Sequence, residues 1–175
     1  MSPNEELSEH AHHAAEPFDK RVALTMAVIA ALLAIVSVAA HVYTTEELLA
    51  QQKASDQWAF YQAKDIRRYD SEIAQDFLKA LRSDSAQERM KHYGDNAAKY
   101  DRDRAEIQDA ARELEAERDV KGRQALRLEA GEIFLEIGIV FASLAILTKR
   151  PWVWHGSMLT AGAGAAIALT ALMIR

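Results

Sequence analysis

The sequence predicts an all-α integral membrane protein with three transmembrane helices and a long antiparallel, coiled-coil-like helical hairpin between the first and second spans. Two observations carry this. Long apolar runs occupy residues 22–42, 133–147 and 152–174, and the polar stretch between the first two keeps a helical apolar period. About 20 apolar residues at ~1.5 Å each cross a hydrocarbon core of about 30 Å, and a helix satisfies its own backbone there. With about a third of the 175 residues committed to lipid, no sizeable globular core remains.

Residues 1–17 read as a flexible acidic tail, because no apolar period offsets the cost of ordering the backbone. Residues 1–21 hold five acids against two bases. His10, His12 and His13 lie in this tail, where no scaffold holds a metal-ligand geometry, so no metal site is expected. The first span is 18–43. Lys20-Arg21 before an apolar run and Val38-Ala39-Ala40 loosely resemble a signal peptide, but a run of 21 residues is long for a signal core and reads as an anchor.

No glycine or proline interrupts residues 18–81, so one helix is expected to continue out of the span. Residues 44–130 form the predicted extramembrane hairpin. On its first arm Ile66, Tyr69, Ile73, Phe77 and Ala80 share one helical face. Ser83-Asp84-Ser85 breaks the period, and Ser85 with Glu88 fits a capping box that opens a new helix, placing the hairpin tip near 82–85. On the second arm Tyr93, Ala97, Tyr100, Arg104, Ile107, Ala111, Leu114, Arg118, Lys121, Ala125 and Leu128 alternate steps of three and four, a coiled-coil seam diluted by basic residues. At ~1.5 Å per residue the arms measure roughly 58 and 69 Å, so an antiparallel pairing is possible, with Trp58 opposite Ala110 or Ala111. Trp58, Tyr61 and Gln62 either pack across the hairpin or offer a face to a partner. Asp101-Arg102-Asp103-Arg104 reads as a solvated face.

The second span is 131–148 and the third 151–174. Lys149-Arg150-Pro151 permits only a tight turn between them, with Pro151 in the first helical turn and Trp152 and Trp154 in the interfacial belt. Under the positive-inside rule Lys20, Arg21, Lys149 and Arg150 face the cytoplasm, which leaves the hairpin in a periplasm-like space.

Two stretches resemble a known family: residues 54–64, ASDQWAFYQAK, and residues 136–150, EIGIVFASLAILTKR, leading into Trp152 and Trp154. They are similar to an uncharacterised bacterial membrane-protein family, domain of unknown function 4337. The order of span, charged helical middle and paired spans resembles it too. The resemblance implies a bacterial inner-membrane location and carries over no catalytic residue. Glu136 departs from it, since an uncharged polar residue is common there in the family, so a role for Glu136 would be particular to this chain.

Glu136 is the leading intramembrane polar candidate, one turn after Glu132 and about 18 Å from Thr148. Carboxyls at such depth face a bundle interior, find a partner or stay protonated, and are functional suspects. The available partners are His41, the hydroxyls of Thr25, Ser37, Ser157 and Thr160, or a neighbouring subunit. A structural carboxyl, a proton or ion path and a shallower position all stay open. Small residues at Gly162 and Ala166, Gly164 and Ala168, and on the first span at Ala27 and Ala31, permit close helix packing within one bundle or between copies.

Composition excludes other classes. Residues 43–130 hold nineteen acids against sixteen bases, mixed along the chain, so no nucleic-acid partner is expected. The chain has no cysteine, which excludes disulfides and thiolate metal sites. No nucleophile with a base and no phosphate-binding glycine loop is present, so no enzyme and no cofactor are expected. The expectation is a membrane-anchored scaffold or accessory subunit, a homo-oligomer or part of a larger complex. The alternative is a small homo-oligomeric channel or transport accessory that uses Glu136, the channel needing several chains because three spans alone make a poor pore.

Overall fold

The structure, a computed structural model, describes residues 17–81 and 86–174. The amino-terminal tail, its three histidines and the tip at 82–85 lie outside the described residues. Three α-helices account for nearly all the rest: α1 (Pro17–Leu81), α2 (Ala86–Thr148) and α3 (Pro151–Thr170), closed by a short 3₁₀ turn at Ala171–Met173. Each is long and apolar enough over part of its length to cross a membrane. The missing breakers explain the length of α1: between Pro17, which suits a first turn, and Leu81 nothing removes a backbone donor or relaxes φ. Between α2 and α3, Lys149 takes φ 53, the left-handed conformation that lets a helix end abruptly, and Pro151 starts α3.

The chain divides into two compact units, one combining the chain up to Thr44 with that from Val120 onward, the other Thr45–Asp119. The division on the second arm falls eleven residues before the expected span boundary at 130/131, so Val120–Ala130 groups with the spans.

In the first unit, α1, α2 and α3 pack in three layers. Val22 meets Ala142, Ala145 and Val153; Ile29 meets Leu135 and Ala161; Ala40 meets Leu128, Ala168 and Ala171. Small residues dominate α2 and α3 at this contact, so the backbones approach closely. A Cβ on Gly131 would lie 2.8 Å from both the Ala168 Cβ and the Gly164 carbonyl oxygen, and one on Gly164 would lie 2.7 Å from the Gly131 carbonyl oxygen. Such a seam gains dispersion over a long contact without large side chains.

In the second unit, bonds between α1 and α2 run in opposite order along the two helices. Gln51 accepts from Arg118, Trp58 donates to Glu115, Lys64 pairs with Asp103, and Gln75 donates to the Met90 carbonyl. Ala54, Ser71, Ile107 and Ala111 are buried between them. The contact is unusually polar for one between helices: Arg104 holds Asp65, which also accepts from Arg68 at 3.3 Å, while Lys64 lies 5.4 Å from the Tyr100 ring and the Arg104 guanidinium 5.4 Å from Tyr61.

Candidate functional site

Glu129, Glu132 and Glu136 follow one another on α2 at steps of three and four, which places them along one side of the helix. On α1, Ser37, His41 and Thr44 do the same. In the first unit the two rows meet: Ser37, Ala40, His41, Thr44, Glu129 and Glu132 line a groove of about 210 Å³. The Thr44 hydroxyl donates to Glu129 at 3.2 Å. Glu132 is half-buried there, and His41 has an interaction of its own. Two carboxyls, an imidazole and two hydroxyls can share protons and hold water. Among the described residues no group of three or more His, Asp or Glu is gathered tightly enough for a metal ion. Glu129 was missed by sequence reasoning because it falls before the apolar run. Its spacing to Glu132 and Glu136 was the available signal.

Glu136 itself does not face the interior of the first unit. It is exposed on the outer side of α2 and forms no hydrogen bond or ion pair with a described residue. Of its proposed partners, Thr25 donates to the Arg21 carbonyl and accepts from Trp154, Thr160 donates to the carbonyls of Gly156 and Ser157, the fully buried Ser157 hydroxyl has no partner among the described residues, and Ser37 and His41 line the groove beside Glu132. The inner side of α2 here is taken by Leu135 and Gly138, which leaves the next position along the helix facing outward.

The small residues divide. Gly164 and Ala168 are buried against α2, whereas a Cβ on Gly162 would meet nothing within 4 Å and Ala166 is exposed. Ala27 and Ala31 also face outward, because the buried stripe of α1 is Val22, Ile29 and Ala40.

In the second unit the α2 seam lies inward throughout: Ile107 is buried, and Tyr93, Tyr100 and Leu114 are half-buried. On α1, Trp58 and Tyr61 also turn inward, stacked edge to face at 5.5 Å. The stripe of Ile66, Tyr69, Ile73 and Phe77 instead points away from α2, with exposures of 61, 52, 68 and 65%. The inner face of α1 carries Lys64, Asp65, Arg68 and Ser71, and the ion pairs of Lys64 with Asp103 and of Asp65 with Arg104 on α2 outrank apolar period in setting its rotation. The Arg104 hydrogen bond holds the Asp65 carboxyl below its ordinary range, and Lys64 does the same to Asp103.

The membrane-interface candidates gather at one end of the first unit. Lys149 pairs with Asp19, beside Lys20 and Arg21, and Trp154 packs edge-on to Phe18 at 6.2 Å. Lys20, Arg21, Lys149, Arg150 and Trp152 are exposed there.

A family model described as domain of unknown function (DUF4337) matches residues 18–174. The match spans most of the sequence, so the chain belongs to that family. No curated protein and no solved structure matches it.

Proposed function

For this member of the DUF4337 family we propose a non-enzymatic, membrane-anchored scaffold or accessory subunit that works by assembling with copies of itself or with partner proteins. The three candidate spans anchor it in a bacterial inner membrane, and residues 45–119 form an antiparallel, coiled-coil-like hairpin outside the bilayer. The carrying observation is the outward stripe of Ile66, Tyr69, Ile73 and Phe77 on α1. Exposed apolar surface at helical period on a polar helix marks an interaction face. The two basic pairs at one end of the spans support a cytoplasmic amino terminus and a periplasmic hairpin.

Photo-crosslinking tests this. With a photoreactive residue at Ile73 in the full chain in membranes, one adduct of defined mass is expected, and far less when the probe replaces buried Ser71. No adduct at either position contradicts the reading.

A second reading, a small homo-oligomeric channel, is favoured by the unpartnered Glu136 in a candidate span. Proton or ion flux in liposomes that disappears in Glu136→Gln would establish it over the scaffold. Absence of flux removes it.

A further inference from the structure

Opposite its glycine seam, α2 carries a second regular stripe. Leu126, Glu129, Ile133, Glu136, Val140, Ser143 and Leu147 alternate steps of three and four, and all are exposed. The four apolar members are exposed by 65, 55, 61 and 81%. This is the 3.5-residue period of a helix that packs against another helix, and apart from Glu129, which accepts from Thr44 on α1, neither α1 nor α3 covers it.

Every second position on that stripe is polar, and Glu136 is the one at greatest depth. Gln124 donates to the Ile174 carbonyl at 3.0 Å, so α3 runs beside α2 from Thr148 to Gln124. Glu136 lies midway, about 18 Å from either end at ~1.5 Å per residue. The titratable groups nearest it are Glu132 and Glu129 on α2 and His41 on α1. α3 contributes only His155, near its start. A carboxyl at the centre of a bilayer, on an outward face with no cation beside it, needs a hydrogen-bond partner from another chain rather than lipid.

We propose that this stripe is the docking surface for a second copy of the chain, with two α2 helices in parallel and Glu136 hydrogen-bonded to its counterpart. The inference rests on the reading that the spans lie in a membrane and that the chain assembles. Copies inserted in one orientation meet about a twofold axis along the membrane normal, which brings like residues to the same depth. Two facing carboxyls can share a proton between them, so Glu136 is complementary to its own counterpart, while the Ser143 hydroxyl stays on the Val140 carbonyl of its own helix. A different protein would have to supply a matching carboxyl at that depth, whereas a second copy has it by symmetry. Ile133, Val140 and Leu147 fill the layers on either side, while Glu129 reaches the polar border.

The cysteine-free chain suits disulfide mapping in native membranes. Single-cysteine full-length variants at Ile133, Val140 and Leu147 are expected to form covalent dimers on oxidation, and Leu159 on the exposed side of α3 is expected to form few. In the same background Glu136→Gln is expected to retain the dimer, and Glu136→Leu to weaken association by on the order of tenfold, the change one interhelical hydrogen bond supports. Dimers through Leu159 but not through the α2 positions overturn the proposed surface and leave assembly standing. No dimer at any position, with a native mass of one chain, overturns both. Equal dimer yield in Glu136→Gln and Glu136→Leu overturns the role of Glu136.

Discussion

Gly162 and Gly164 are two residues apart on α3 and have opposite environments, so they report directly on how tightly α2 and α3 are packed. A methyl group at Gly164 would press on the backbone of Gly131 and Leu135. Gly164→Ala is therefore expected to destabilise the helices by about 1–3 kcal/mol, the usual cost of overpacking. Gly162→Ala meets open space and is expected to stabilise by about 0.5–1 kcal/mol through reduced backbone entropy of the unfolded chain. Unfolding of the full chain in mixed micelles reads both; equal effects would contradict the close approach. Ser157 offers a third check, because its buried hydroxyl lacks a partner among the described residues. Ser157→Ala is expected to be neutral or stabilising by up to ~1 kcal/mol, since it removes an unsatisfied group.

At the scale of elements, the charged contact between α1 and α2 in the second unit makes stability depend on pH. Asp65 and Asp103 have carboxyl pKa values lowered below 3.8 by hydrogen bonds from Arg104 and Lys64. A folded pKa below the unfolded one gives stabilisation that is complete above the ordinary value and lost as pH falls through the lowered one. Helix content followed by circular dichroism in micelles is expected to melt earlier as pH drops from ~5 to ~2. Asp65→Asn should flatten that slope; an unchanged slope contradicts the assignment. The same contact shows what the sequence could reveal. The α2 seam from Tyr93 to Leu128 was legible because apolar and small residues hold most of its positions. The α1 seam was not. There the apolar stripe at Ile66, Ile73 and Phe77 and the ionic stripe at Lys64, Asp65 and Arg68 are both helical in period, and only the facing Asp103 and Arg104 decide which turns inward. On the spans, Glu136 was visible as a candidate, but its outward direction depended on Gly131 and Gly138 drawing α3 onto the opposite face.

For the whole molecule, three candidate spans, an exposed apolar stripe on α1 and an exposed polar-spaced stripe on α2 support the proposed reading, a membrane protein whose surfaces other chains occupy. Replacing Ile73 and Phe77 together with Glu is expected to break association through the α1 stripe while leaving the helices folded, since both side chains are already exposed. Co-purification and helix content measured on the same preparation separate those effects, and retained association would exclude that stripe as the contact. The most direct test of assembly is the native mass of the full chain extracted gently into lipid particles. The account predicts one species of uniform stoichiometry above the 19.5 kDa of a single chain, either a multiple of it or a fixed complex with another membrane protein. A single chain at every concentration would contradict it.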